Sequence, residues 1–239
     1  MGYSPSMAIH ILLTGSSRGI GAAIAAAFDR DDVALVGHGR QSGIPADFDE
    51  PGAAPALWQA ALDRLDGRID VLINNAGIFE ASPLDQPHAD WVADWERTMR
   101  VNLTAAAELS RLAVRHWLDG KRPGRIVNIA SRAAYRGDSP AHWHYAASKA
   151  GMVAMTKTIA RGYARDGVLA FALCPGFTMT GMAGDYLQSR GGETLLADIP
   201  LGRVAEPDEV ASIARYCALE APASMTGAVI DVNGASYVR

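Results

Sequence analysis

Apolar positions along this chain fall in blocks. Residues 8–15, AIHILLTG, form a short apolar run closed by glycine. Such a run reads as a strand buried on both faces. Residues 19–30, GIGAAIAAAFDR, follow with helical character, and 33–40, VALVGHGR, read as a second strand. The same alternation continues. Residues 69–77 (IDVLINNAG), 124–131 (GRIVNIAS), 167–176 (GVLAFALCPG) and 227–234 (GAVIDVNG) read as strands. Between them, residues 90–120 are helical in two pieces, and 145–165 form an Ala-rich helix. In 206–220, Val210, Ile213, Ala214 and Cys217 share helical spacing.

Strands alternating with helices predict crossover units and a parallel sheet, the α/β class, in one domain over residues 1–239. Residues 41–55 are rich in turn formers and read as helix-free. The glycine-rich stretch 180–203 breaks the rhythm and reads as a loop or lid over a substrate.

Composition narrows the function. With 239 residues, 49% of them apolar, the chain can bury one sizeable core. A net charge of -4 without blocks of like charge argues against a nucleic-acid surface. No apolar run is long enough to span a membrane. Cys174 and Cys217 fit no disulfide or metal spacing, which suits a reducing cytoplasm. Residues 1–7 match the short myristoylation pattern at Gly2 and Ser6, yet read better as a flexible leader.

Residues 14–21, TGSSRGIG, lie between the first strand and the first helix. Glycines there let a phosphate approach the backbone, and the helix start offers free N–H groups. The same letters fit a G-x-S-x-G hydrolase elbow with Ser17 as nucleophile. That elbow needs an oxyanion donor from an earlier strand's loop, and none precedes it.

Several motifs then occur in order: TGSSRGIG, NNAG (74–77), VNL (101–103), Ser131 after a strand, YAASK (145–149) and Pro175-Gly176. With IPLGRVAEPDEVA and TGAVIDVNG near the end, nearly the whole chain resembles the short-chain dehydrogenase/reductase family, and its C-terminal half resembles the 3-oxoacyl-carrier-protein reductases. The resemblance implies a Rossmann-type, doubly wound parallel sheet of about seven strands with helices on both faces. It implies a nicotinamide cofactor, a carbonyl or alcohol substrate and a homodimer or homotetramer. It also implies the catalytic set Asn102, Ser131, Tyr145 and Lys149.

In that scheme Tyr145 is the general acid or base, and Lys149, one helical turn away, lowers its pKa and binds the ribose. Ser131 holds the substrate oxygen, and Asn102 positions a relay water. The expected cofactor contacts are Gly15, Ser17, Arg18, Gly19, Ile20, Gly21, Arg40, Asp47, Phe48, Asn75, Ala76, Gly77, Tyr145, Lys149, Pro175, Gly176, Thr178 and Thr180.

No acidic residue ends the second strand. Gly39 and Arg40 stand there, and Arg18 lies in the glycine turn. Arginine grips a 2′-phosphate well, so NADP(H) is expected over NAD(H); His38 adds to this end of the site. The segment between Arg40 and Asp47 is too short for the family's usual helix. Trp143, His144, Met179, Met182 and Tyr186 are expected around the substrate, with Leu187 in an apolar lid. No metal is expected, since His142-x-His144 lacks a third ligand. An acidic acyl carrier protein is a possible partner for Arg132 and Arg136. Ketone reduction is the expected direction. The alternative from another class is a cofactor-binding regulator without catalysis.

Overall fold

The apolar runs become a parallel sheet because both of their faces find helices. The computed structural model describes residues 8–180 and 192–239. β1 (Ile9–Thr14), α1 (Gly19–Ala27), β2 (Val33–Gly39), β3 (Ile44–Pro45), α2 (Ala53–Arg64) and β4 (Val71–Asn74) come first. Then come α3 (His88–Met99), α4 (Ala105–Asp119), β5 (Gly124–Ile129), α5 (Ala133–Arg136) and α6 (Trp143–Tyr163). β6 (Val168–Pro175), α7 (Gly192–Ala197), α8 (Pro207–Arg215) and β7 (Val229–Val232) complete the order. The seven strands form one sheet in the order β3-β2-β1-β4-β5-β6-β7, and every pairing is parallel. This is the doubly wound Rossmann arrangement; the order reverses at β1 and β4, where a crevice opens beyond the strand ends.

Alternate residues of each strand serve opposite cores. Leu12, Leu72, Ile126 and Ala170 pack with Leu57 and Trp58 of α2 and Leu109 and Trp117 of α4. Ile11, Leu13, Ile73, Val127 and Phe171 pack on the other side with Ile24 of α1 and Val210 and Ala214 of α8. No helix is long and apolar enough to cross a membrane among the described residues.

The sheet's first edge departs from the usual crossover. Parallel strands normally need about a dozen intervening residues. Here only residues 40–43 separate β2 from β3, and β3 pairs at just His38↔Ile44 and Gly39↔Pro45. Such a short return is feasible because Gly43 takes a left-handed φ of 67°. No helix intervenes, as the spacing from Arg40 to Asp47 predicts. The helix-free expectation over 41–55 needs one correction. Ala53, Ala54 and Pro55 open α2, because Pro is tolerated in a helix's first turn, where its missing N–H has no partner to lose. The two helical pieces of 90–120 are α3 and α4, joined by a π turn at Arg100–Thr104.

Trp117 is fully buried and its indole N–H donates to the Ile69 carbonyl at 2.7 Å. Its ring lies where a Cβ on Gly124 would fall, 2.0 Å away. A rigid indole cannot retreat by that amount. Gly124→Ala should therefore destabilise the protein by about 1–3 kcal/mol, seen as a lower midpoint in thermal unfolding. An unchanged midpoint would show that α4 can slide on the sheet.

Candidate active site

The glycine turn sits at the topological switch. Gly15 and Gly19 both adopt left-handed φ, 67° and 54°. A Cβ on Gly21 would lie 1.9 Å from the Gly15 carbonyl oxygen, so only glycine closes this turn. Thr14 Oγ1 accepts from the Asn75 and Ala76 N–H groups, both at 3.0 Å. Asn75 Nδ2 donates to the Gly15 carbonyl at 2.9 Å. The turn and the 74–77 loop are thus one rigid body. α1 begins at Gly19 with no side-chain cap and no acidic residue in its first turn. Its free N–H groups and positive dipole end therefore face a cleft open to an anion.

That cleft measures about 1130 Å³. Its walls include Gly15, Ser17, Arg18, Gly19, Ile20 and Gly21 from the turn, and Arg40, Asp47 and Phe48 from the adenine side. Asn75, Ala76, Gly77 and Thr180 complete the predicted set on its walls. A glycine-lined cradle with an uncapped helix start fits a dinucleotide pyrophosphate. Arg18 and Arg40 are exposed on its rim and form no ion pair among the described residues. Tyr145, Lys149, Pro175, Gly176 and Thr178, expected to touch the cofactor as well, lie off these walls. A Cβ on Gly176 would meet Asn233 at 2.9 Å, and buried Thr178 bridges to Ala205.

The inner end of the cleft is Gly77. A Cβ there would lie 3.2 Å from Asn102 Oδ1 and 3.5 Å from Lys149 Nζ. Asn102, buried in the π turn, spends its amide on the chain: Oδ1 accepts from the Ile78 N–H at 2.8 Å and Nδ2 donates to the Ile78 carbonyl at 2.9 Å. Lys149 is buried too; its Nζ donates to the Ile129 carbonyl at 2.9 Å and lies 5.7 Å from the centre of the Tyr145 ring. Ser131 follows β5 and its Oγ accepts from the Ala133 N–H at 3.1 Å. Asn102, Ser131, Tyr145 and Lys149 therefore converge from three separate parts of the chain.

Electrostatics here differ from the expected tuning. Desolvation pushes the Tyr145 phenol up to about 12, with a hydrogen bond from Ser131 opposing it. Desolvation also pulls Lys149 down to about 8. The lowering of Tyr145 by Lys149 expected from spacing does not figure at this phenol; burial dominates at both groups, since both charged forms lose water. The phenol stays protonated, a proton donor across the neutral range.

Around Tyr145 the structure adds Phe79 to the side chains expected there. Phe79 meets the Tyr145 ring edge-on at 4.8 Å and stacks on His142 at 4.0 Å. Trp143 is 52% exposed and packs edge-on against Trp91 at 6.3 Å. His144 points inward, buried, with Nε2 lacking a hydrogen-bond partner among the described residues. Met179 is partly exposed and hydrogen-bonds by its N–H to the Ala205 carbonyl. Met182, Tyr186 and Leu187, like residues 1–7, lie outside the described residues. Arg132 and Arg136 are not free: both face Asp198, at 3.7 and 2.5 Å. Arg97 and Gln41 also line the cleft and carried no signal in the chain's periodicity. No cluster of potential metal ligands occurs among the described residues.

A Rossmann sheet with a glycine cradle at its switch point, and a Ser–Tyr–Lys set at the cradle's inner end, defines a dinucleotide-dependent oxidoreductase. Similarity agrees. The family model described as enoyl-(acyl carrier protein) reductase matches residues 31–235. A 3-oxoacyl-[acyl-carrier-protein] reductase of Vibrio cholerae is 33% identical over 95% of this chain and 96% of its own. The 3β-hydroxysteroid dehydrogenase 1 of Eggerthella lenta is 32% identical over 94% and 92%. A solved structure from Agrobacterium tumefaciens, described as a 2-deoxy-D-gluconate 3-dehydrogenase with bound NADP, superposes with a TM-score of 0.87 at 26% identity, covering 98% of each chain. This chain belongs to the short-chain dehydrogenase/reductase family, whose members here are NAD(P)-dependent enzymes. The hydrolase alternative falls with that assignment; Ser17 is part of the cofactor-sized cleft.

Proposed function

We propose that this protein is an NADP(H)-dependent reductase of a ketone, with 3-oxoacyl compounds first among the candidate substrates. The carrying observation is the protonated, half-buried Tyr145 beside Ser131 and Lys149 at the inner end of a glycine-lined cleft. The bound cofactor supplies the hydride. Ser131 donates a hydrogen bond to the carbonyl oxygen, where negative charge grows. Tyr145 gives its proton to that oxygen as general acid. Lys149, as an ammonium, stabilises the phenolate left once Tyr145 has given up its proton, and reaches the ribose side of the cleft past Gly77. Asn102 holds the Ile78 backbone that forms the floor, with a relay water as its further role.

The choice of a ketone over an alcohol follows from NADPH as the expected hydride donor; Tyr145, held protonated by burial, supplies the accompanying proton. Arg132 and Arg136 share the single carboxylate of Asp198, so an acidic carrier protein docking on them would displace it, and small 3-oxoacyl thioesters are the simpler first substrates. A homodimer or homotetramer is part of the same proposal, measurable by light scattering.

The test is a fluorescence titration with NADPH and with NADH. Tight NADPH and weak NADH binding is expected. Arg40→Ala should weaken NADPH by about 10- to 100-fold, the worth of a charge-assisted hydrogen bond, and leave NADH nearly unaffected. Equal losses for both would show that Arg40 does not meet the 2′-phosphate. Tight binding without turnover on any ketone would favour the regulator reading.

A further inference from the structure

His38, the next-to-last residue of β2, is buried where three pieces of the cleft meet. Its Nδ1 accepts from the Gly15 N–H at 3.2 Å, so its Nε2 carries the proton and donates to the Ala46 carbonyl at 3.1 Å. Its own carbonyl accepts from the Ser16 backbone N–H at 2.8 Å and the Ser16 hydroxyl at 3.3 Å. Phe48 covers the imidazole, ring centres 4.5 Å apart. One residue therefore ties the glycine turn to the adenine-side segment 46–48. It does so where no helix intervenes between β2 and β3 to hold that segment in place.

We propose that His38 is a positioning residue for the dinucleotide: its neutral ring fixes the width of the cleft between Gly15 and Ala46, and its protonation releases that width, so that cofactor affinity is gated by acid. The proposal rests on the NADP(H) reading above and deepens it. The chemistry is a matter of one hydrogen. An imidazolium carries N–H at both nitrogens. Its Nδ1–H would then oppose the Gly15 N–H, two donors face to face. The contact must break, leaving a backbone donor of the glycine turn without a partner.

The charged groups around His38 act in both directions. Asp47, from the segment before α2, favours the imidazolium. Arg18 from the glycine turn, Arg40 beyond β2 and Arg97 from α3 line the same cleft and carry positive charge. β1 offers only the hydroxyl of Thr14 opposite His38. Burial outweighs Asp47 and holds His38 below its ordinary range. A depressed value means the folded state needs the neutral ring. Its contribution is present above about pH 6.5 and is lost as pH falls through the depressed value.

The test uses acid-stable NADP⁺ and isothermal calorimetry from about pH 8 to about pH 5 on the intact protein, His38→Leu and His38→Asn. The ligand's own 2′-phosphate titrates near pH 6, so the readout is the difference between proteins at each pH. His38→Leu should bind about tenfold more weakly near pH 8. His38→Asn keeps an acceptor for the Gly15 N–H and cannot titrate. It should recover the Gly15 share of the affinity near pH 8 and hold it toward about pH 5, where the unaltered protein loses its own. Thermal unfolding without ligand checks that each variant folds; should His38→Leu not fold, His38→Asn carries the comparison alone. Parallel pH curves for the unaltered protein and His38→Asn would overturn the proposal while leaving the cofactor assignment intact. Failure of the unaltered protein to bind NADP⁺ at all would overturn both.

Discussion

Tyr145→Phe is expected to lower turnover of a ketone substrate by about 10²- to 10⁴-fold, the range for removing a positioned general acid, while NADPH binding persists. The substitution removes one oxygen from a half-buried ring and leaves the contact with Phe79. Neither polar partner of the phenol among the described residues is placed to replace the proton. Ser131 is a hydrogen-bond donor without useful acidity, and Lys149 Nζ is turned toward the Ile129 carbonyl. The pH profile of the unaltered enzyme should carry a signature of the same arrangement. A phenol pushed up to about 12 stays protonated well above neutrality, whereas Lys149 loses its proton near 8. Reduction should decline through the lysine's range and not through the phenol's. Stopped-flow oxidation of bound NADPH measures both effects. A Tyr145→Phe protein that still reduces ketones at the original rate would move the acid elsewhere.

Lys149→Met is expected to inactivate the protein and to stabilise it. Burial pulls this lysine from 10.5 down to about 8. The free energy attached to such a shift is about 3 kcal/mol, and it is a cost of holding a charge in a dry site. Methionine retains the length of the chain and removes the charge. Between about pH 8 and pH 10.5 the unfolded chain holds a proton here that the folded chain has released. The unaltered protein should therefore gain stability as pH rises through that window, and the variant should lack the gain. Urea unfolding near pH 7 and again near pH 9.5 tests this. A variant destabilised equally at both would show that the Ile129 bond outweighs the buried charge. The expected result is a residue kept for chemistry against the interest of the fold.

The fold was legible where apolar runs are long. β1, β2, β4, β5, β6 and β7 each fall in a largely apolar segment that holds or adjoins a glycine. β3 was not, because two residues, Ile44 and Pro45, carry no periodicity. α2 begins inside a stretch whose Pro and Gly content reads as turn, and its Leu57 and Trp58 join the core that holds Leu12 and Trp117. In the site, local spacing exposed the glycine turn and the Tyr145–Lys149 pair. Long-range partners stayed hidden. Arg136 meets Asp198 sixty-two positions away, which turned two apparently free arginines into a paired cluster. Likewise Phe79 reaches Tyr145 across 66 positions and left no trace in the pattern of the chain. Spacing named the neighbours of Tyr145 but not its burial, and burial decides its acidity.

The abbreviated β3 leaves the sheet with an unfinished margin. It covers only His38 and Gly39, so among the described residues the outer side of β2 from Val33 to Val36 meets no further strand. That stretch reads Val-Ala-Leu-Val, apolar and uncharged. The opposite margin is blunted: the Arg239 side chain hydrogen-bonds to the Val229 carbonyl and pairs with Asp231. An open apolar strand edge is a template on which another chain can add its own strand. Concentrated or refolding samples of this protein should therefore self-associate through β2, and a proline at a position whose N–H points away from β1 is the place to raise solubility.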